Sequence, residues 1–149
     1  MKSRILSIIL SVFLSSQICF AQLCAKLVDV SEGEVHILAL DNHGNLYSCG
    51  GNSDCYDQLG LGDISETVLS LQLVHGPNNV GFLNHVIAFD AGWYHSLAVD
   101  SNGSCWSFGT DTRGQLGNGN EGSSNVPVRV HGVHDGIAGR TNAGDISDL

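Results

Sequence analysis

Two histidines and three aspartates are the residue types from which a metal site or a catalytic site could be built. His36 and His95 are of the type that binds metals or acts as a general base. No nucleophile and acid accompany them in a catalytic arrangement, so we expect neither to be catalytic. Asp54, Asp57 and Asp63 lie in one loop region and offer oxygen ligands for calcium, but their spacing is not that of an EF-hand loop. We therefore predict solvated carboxylates, no metal site and no cofactor.

The first 21 residues have the pattern of a secretory signal peptide. Lys2 and Arg4 give a positive start, and an apolar run over residues 5–14 follows. Small residues near Ala21 predict cleavage after that residue. A membrane anchor is the alternative, but the run is too short to span about 30 Å of hydrocarbon. We expect a secreted protein, extracellular or periplasmic, with no stable membrane anchor after cleavage.

The cysteines are the remaining reactive side chains. Cys19 lies in the segment that we expect to be removed, which leaves Cys24, Cys49, Cys55 and Cys105. An even number in an exported chain permits disulfides, with free buried thiols as the alternative. The absence of a Cys-x-x-Cys pair gives a structural zinc site little support. A disulfide between Cys49 and Cys55 is a hypothesis, since it would brace the loop that contains Cys55.

The charge of the chain disfavours partners that carry phosphate. The sequence has 6 Lys and Arg against 15 Asp and Glu, a net charge of −9. Loss of Lys2 and Arg4 with the signal peptide leaves a net charge of −11. Such a chain repels nucleic acid, so we expect no nucleic-acid partner. It could attract basic partners or divalent cations, and solubility alone is the simpler explanation.

One pattern occurs twice along the chain. Residues 33–50 match residues 92–109 at a constant offset of 59, from His36 to His95. A Gln-Leu-Gly-x-Gly block follows each copy, and a Val-His-Gly block follows that. The repeated motif positions are Gly33, His36, Gly44, Gly50, Gln58, Gly60 and Gly62 in the first copy, and Gly92, His95, Gly103, Gly109, Gln115, Gly117 and Gly119 in the second.

The local patterns within the repeat predict β-strands joined by tight turns. Residues 35–40 and 46–49 are short β-rich runs, separated by an Asp-x-x-Gly turn in which the glycine can take positive φ. Residues 68–74 and 86–89 are expected to form further strands. No segment has a sustained apolar period of 3.6 residues. The sequence therefore predicts an all-β chain, in which we expect both tryptophans, Trp93 and Trp106, to be packing residues.

The combined motif resembles the regulator-of-chromosome-condensation repeat over about residues 28–132. Members of that family build β-propellers from blades of four antiparallel strands. The resemblance implies a partial propeller of about two blades, with repeats at about 28–76 and 86–132 within residues 22–132. It also implies a structural role for His36 and His95, each bonded within its blade.

The number of repeats differs from that of a closed propeller. Residues 133–149 begin like a third copy and then lose the pattern, so we expect an incomplete repeat or a disordered tail. Two blades cannot enclose a central channel, and they leave sheet edges and faces unprotected. Three explanations stay open: a truncated or split gene product, a homo-oligomer of several chains that completes the propeller, or a small open pair of sheets.

The resemblance implies a protein–protein interaction module with an unknown protein partner. A guanine-nucleotide exchange factor for a small GTPase is a second hypothesis, but an exported, acidic chain with two repeats disfavours it. An enzyme such as a hydrolase is a third. The chain contains no Gly-x-Ser-x-Gly, His-Glu-x-x-His or phosphate-binding glycine loop, so we expect that it is not an enzyme.

Overall fold

The computed structural model describes residues 26–52, 56–64 and 66–131. These residues form two four-stranded antiparallel sheets, each with its strands in chain order. The first sheet consists of β1 (Leu27–Glu32), β2 (His36–Asp41), β3 (Leu46–Gly50) and β4 (Val68–Leu73). A single 3-10 turn at Pro77–Asn79 leads to the second sheet. That sheet consists of β5 (Val86–Ala91), β6 (His95–Asp100), β7 (Cys105–Gly109) and β8 (Ser124–Arg129).

The all-β prediction is confirmed, and so is the arrangement of four antiparallel strands in each unit. The strands expected over 35–40, 46–49, 68–74 and 86–89 correspond to β2, β3, β4 and β5. The predictions for the signal peptide, for residues 133–149 and for Cys55 fall outside the described residues. Within the described part of the chain, no helix has the length and hydrophobicity of a membrane span.

An aspartate organises the central hairpin of each sheet. The carboxylate of Asp41 accepts hydrogen bonds from the backbone N–H of His43 at 2.8 Å and of Asn45 at 2.9 Å. Gly44 in the same turn has a φ of 80°, a conformation that favours glycine. Burial alone would raise the pKa of Asp41, but these bonds and those from the side chains of Asn45 and Tyr47 hold it below its usual value.

The same aspartate explains why an aromatic side chain recurs in the following strand. Tyr47 donates its hydroxyl to Asp41 at 3.1 Å, and Trp106 donates its indole N–H to Asp100 at 3.0 Å. Both residues lie six positions after the aspartate, on the strand that pairs with it. The aromatic position therefore requires a ring with a polar hydrogen, which Tyr and Trp both supply.

The core lies between the two sheets. The first sheet and the segment that follows it contribute Leu38, Leu40, Leu46 and Val74 to a buried cluster, and Ala98 and Phe108 of the second sheet complete it with Leu83 and Val86. Trp106 packs against this cluster while partly exposed, as the sequence led us to expect. Since apolar burial is the main favourable term in folding, each sheet depends on its neighbour for much of its stability.

A loop glycine of the first copy contacts the core of the second sheet. Gly60 has a φ of 64°, and a Cβ placed there would lie 2.8 Å from the Phe108 ring. Its counterpart Gly117 has a φ of 59°, but a Cβ there would meet only Val130, at 3.3 Å. The two glycines share a backbone requirement, but only Gly60 is also needed for space.

This pair predicts unequal effects of the same substitution. Gly60→Ala and Gly117→Ala each place an alanine at positive φ, which costs roughly 1–2 kcal/mol. Gly60→Ala should lower the free energy of unfolding by about 1–3 kcal/mol more, because its Cβ overpacks Phe108. Urea unfolding of both variants at low protein concentration checks this difference. Equal destabilisation by the two changes would contradict the packing role of Gly60.

Candidate protein-interaction surfaces

The motif histidine of the first copy forms a polar joint between the two sheets. His36 Nε2 lies 2.9 Å from Ser96 Oγ on β6, and the Ser96 hydroxyl donates to the Gln58 carbonyl oxygen at 2.8 Å. Because the only hydroxyl hydrogen of Ser96 goes to Gln58, His36 must donate from Nε2. The sequence led us to expect this imidazole to bond within its own blade, and that expectation was wrong because the serine belongs to the neighbouring sheet.

The His36 ring occupies space that is available only because residue 33, at the start of the motif, is a glycine. A Cβ on Gly33 would collide with the His36 ring and with the Gly92 carbonyl oxygen. The ring is 2% exposed, and its Nδ1 has no hydrogen-bond partner among the described residues. Burial, with a smaller contribution from the charge of His95, lowers the pKa of His36 from 6.5 to about 4. The surroundings of the joint therefore favour the neutral form of the His36 imidazole.

Further hydrogen bonds connect the sheets on either side of this joint. Ser31 donates its hydroxyl to Asp90 at 2.7 Å and accepts the Ala91 N–H at 3.0 Å. The Gly62 N–H donates to the Asn125 carbonyl oxygen at 2.9 Å. The Ser31 contacts lie at the first strand of each sheet, and the Gly62 contact lies in the loop that precedes β4. The second sheet is therefore bonded to the first across the whole width of the first sheet.

The second copy has the same internal structure but a different environment. Ser107 donates to the Leu116 carbonyl oxygen at 2.7 Å, as Ser48 does to that of Leu59. Yet the motif residues that are buried in the first copy are more exposed in the second, where no further sheet covers them within the described residues. The pairs that differ in this way are His36 and His95, Gln58 and Gln115, Gly60 and Gly117, and Gly62 and Gly119.

Each sheet thus has one face that no other sheet covers in the described part of the chain. We call the side of the second sheet that carries His95, Leu97, Val99, Gly117 and Val130 the trailing face. We call the opposite side of the first sheet the leading face; its residues include Val30, Ile37, Cys49, Leu71 and Leu73. Most of these side chains are apolar and wholly or partly exposed.

Tyrosines, a tryptophan and an arginine line a cleft of about 600 Å³ that shares His95 with the trailing face. The rings of Tyr56 and Tyr94 stack with their centroids 4.4 Å apart, and Trp93 is 74% exposed at the rim. Trp93 is therefore not a packing residue, contrary to the sequence-based expectation. The full lining of this aromatic cleft is Tyr56, Gly92, Trp93, Tyr94, His95, Thr110, Thr112, Arg113 and Gln115.

The aromatic cleft is made of segments that are distant in the sequence. Tyr56 comes from the loop of the first copy, residues 92–94 form the β5–β6 turn, and His95 begins β6. The other four lining residues come from the loop after β7. Among the described residues, its lining contains Arg113 and no carboxylate, although the chain as a whole carries a net charge of −9. The alternation of each strand could not reveal this site, because it depends on how two sheets meet.

The aspartates that could bind calcium are only partly described. Asp57 and Asp63 lie in the first-copy loop, while Asp54 falls outside the described residues. Burial raises the pKa of Asp57, and the charge of Asp63 raises it further. Among the described side chains, no group of three or more His, Cys, Asp and Glu is placed to hold a metal ion. The Cys49–Cys55 disulfide stays a prediction, because Cys55 lies outside the described residues.

Comparison with known sequences identifies the repeat. A sequence model of the regulator of chromosome condensation (RCC1) repeat matches residues 43–99 and 102–138, and a second model of this repeat matches residues 86–115. The chain belongs to the RCC1 repeat family. The match over 43–99 begins in the β2–β3 turn and ends in β6, so one RCC1 repeat contributes strands to two neighbouring sheets. This offset explains why motif residues collect at the joint between the sheets.

Relatives with RCC1 similarity are much longer than this chain. The X-linked retinitis pigmentosa GTPase regulator homolog of Caenorhabditis elegans is 37% identical over 103 residues, 68% of this chain and 7% of that protein. Ultraviolet-B receptor UVR8 of Arabidopsis thaliana is 31% identical over 112 residues, 74% of this chain and 24% of the receptor.

Solved RCC1-type structures share the arrangement of the two sheets. Human WBSCR16 matches with a TM-score of 0.61 and 28% identity, over 74% of this chain and 27% of that one. Yeast RCC1 (Prp20), in its complex with Kap60, matches with a TM-score of 0.63 and 25% identity, over 75% of this chain and 26% of that one. The two sheets are therefore two blades of a partial β-propeller. The chain spans about a quarter or less of the length of each of these four proteins.

The neutral joint histidine predicts a pH dependence of stability. Between pH 6.5 and about 4 the unfolded chain protonates this histidine while folded His36 stays neutral, so the free energy of unfolding falls as the pH is lowered. The loss can reach about 1.4 kcal/mol for each pH unit of that window. His36→Gln can still donate to Ser96 but does not titrate, so its stability should fall less steeply. Urea unfolding of both proteins across this range checks the slopes, and parallel profiles would contradict the neutral joint.

Proposed function

We propose that this RCC1-repeat chain is an exported protein-interaction module that is not an enzyme. The observation that carries the proposal is the aromatic cleft with Trp93 exposed at its rim. Trp, Tyr and Arg are the residue types most enriched where interfaces gain their binding energy. Here Trp93, Tyr94, Tyr56 and Arg113 line one cleft.

The charge of the chain favours a protein partner over nucleic acid. A net charge of −9 repels phosphate backbones, while the described residues that line the cleft include Arg113 and no carboxylate. A partner segment with apolar side chains and a carboxylate would complement this lining. A protein of the same fold, yeast RCC1 (Prp20), has been solved in complex with the protein Kap60, which supports protein binding as a use of the fold.

The proposed location rests on the N-terminal sequence. The pattern of residues 1–21 is that of a cleaved secretory signal, so the proposal places the protein outside the cytoplasm, extracellular or periplasmic and without a membrane anchor. A homo-oligomer in which several copies complete the propeller belongs to the same proposal, because no sheet of the described residues covers the leading or the trailing face.

Site-specific photo-crosslinking tests this function. A photoreactive amino acid replaces Trp93 in one variant and Val80 in another, and both proteins are recovered from the extracytoplasmic fraction of the native host. Val80 is a matched control, because each residue is 74% exposed and only Trp93 lies at the cleft. We expect a discrete covalent adduct with a second protein at position 93, because the partner would contact the rim of the cleft.

Arg113→Gln in the position-93 variant should weaken this adduct, since it removes the cation from the cleft. The recovered protein should begin at Gln22, as determined by mass spectrometry. Equal adducts at positions 93 and 80, or no adduct at either, would contradict the cleft as an interaction site. Retention of the uncleaved chain in the cytoplasm would contradict export.

A further inference from the structure

We propose that the leading face of one copy docks on the trailing face of a second copy, head to tail. The inference rests on the proposed function, because it names a second copy of this chain as one partner of the interaction module. The template for the contact is the joint between the two sheets within one chain. The trailing face carries the counterparts of the residues that the first sheet contributes to this joint. The leading face carries the counterparts of the residues that the second sheet contributes.

The trailing face carries the counterparts of the residues with which the first sheet packs against the second sheet. In the first sheet Leu38 is fully buried and Leu40 is 8% exposed. Their counterparts Leu97 and Val99, 59 residues later, are only partly buried. Val130 is likewise partly buried where its counterpart Val74 is fully buried. In the described part of the chain, no sheet packs over these side chains as the second sheet packs over their counterparts.

The loop glycines at the trailing face mark where the next sheet would lie. The Cβ position of Gly60 is filled by the Phe108 ring of the second sheet, whereas that of Gly117 contacts only Val130. The Gly62 N–H donates to the Asn125 carbonyl oxygen of the second sheet. Within the described residues, the corresponding N–H of Gly119 has no such backbone acceptor, and in the proposed contact it would donate to a backbone carbonyl of the second copy.

The leading face carries the residues that would pack against the trailing face of another copy. Strand register places Val30, Ile37 and Cys49 where the second sheet has Phe89, Ser96 and Phe108. Val30 is 52% exposed, Ile37 39% and Leu71 37%, which is unusual for aliphatic side chains grouped on one sheet. Leu71 takes the place of Pro127, which is fully buried in the second sheet.

The residues that would meet across this contact differ from those of the joint within the chain. These differences make the contact apolar and weaker than that joint. Ile37 replaces the serine that accepts from the joint histidine, so His95 would pack against an aliphatic side chain instead of forming the hydrogen bond of His36. Two copies also repel each other through their net negative charge. The assembly should therefore depend on protein concentration and should strengthen with added salt, which screens that repulsion.

The proposed contact is heterologous, since two different faces meet. Contacts of this kind form rings when the rotation between copies closes, and they extend as filaments when it does not. A contact that repeats the joint within the chain continues the same propeller rotation from one copy to the next. Several copies would in this way surround a common axis.

Mixing two variants, each with a different face blocked, tests whether the contact is head to tail. Ile37→Asp blocks the leading face, and Gly117→Glu blocks the trailing face at a positive-φ position where, among the described residues, a Cβ meets only Val130, at 3.3 Å. Light scattering after size-exclusion chromatography should show the exported wild-type protein as an assembly of more than one copy, with a mass that rises with concentration. Each variant alone should be a monomer, and an equimolar mixture should give a two-copy species through the one pair of intact faces.

A monomeric wild-type protein at every concentration and salt level would overturn the inference, and so would variants that stay assembled or a mixture that stays monomeric. Circular dichroism verifies that the variants are folded, and Leu97→Asp replaces Gly117→Glu if the latter unfolds. Adducts at position 93 distinguish the two proposals: a monomeric protein that still forms adducts with a different protein overturns self-assembly and leaves the interaction module standing.

Discussion

The hydrogen bonds of His36, Ser96 and Gln58 are the contact on which this structure depends. They connect two sheets that bury their apolar faces against each other, and they lie where water is excluded. Unpaired polar groups in such a place would be costly, so the bonds allow only one way for the sheets to meet. The apolar side chains drive the sheets together, and the polar joint selects the register in which they meet.

The two repeats show how one motif produces two different surfaces. Interactions inside a sheet are the same in both copies, because the hairpin aspartates and the loop serines find their partners a few residues away. Interactions between sheets are complete for the first copy alone within the described residues. His36 is a structural joint because the neighbouring sheet covers it. Its counterpart His95 has no such cover among the described residues and lines the aromatic cleft.

Local chemistry made part of this predictable from the sequence. The Asp-x-x-Gly turns, the short β-rich runs and the spacing of the repeats predicted the hairpins, the all-β class and the RCC1 resemblance, because these features depend on near neighbours. Strands β1 and β8 were not singled out: β1 is largely exposed, and β8 contains a proline. The partner of His36 and the exposure of Trp93 could not be predicted, because both depend on contacts between sheets. The Cys49–Cys55 disulfide and the signal peptide stay predictions.

A double-mutant cycle on His36→Ala and Ser96→Ala tests the joint most directly. The free energies of unfolding of the wild type, the two single variants and the double variant are measured by urea titration at pH 7. If the two side chains form the joint, the double variant should lose less stability than the sum of the single variants, with a coupling energy of about 1 kcal/mol or more. Additive losses within about 0.3–0.5 kcal/mol would show that the two residues act independently, and would contradict the polar joint as the contact that fixes the sheets.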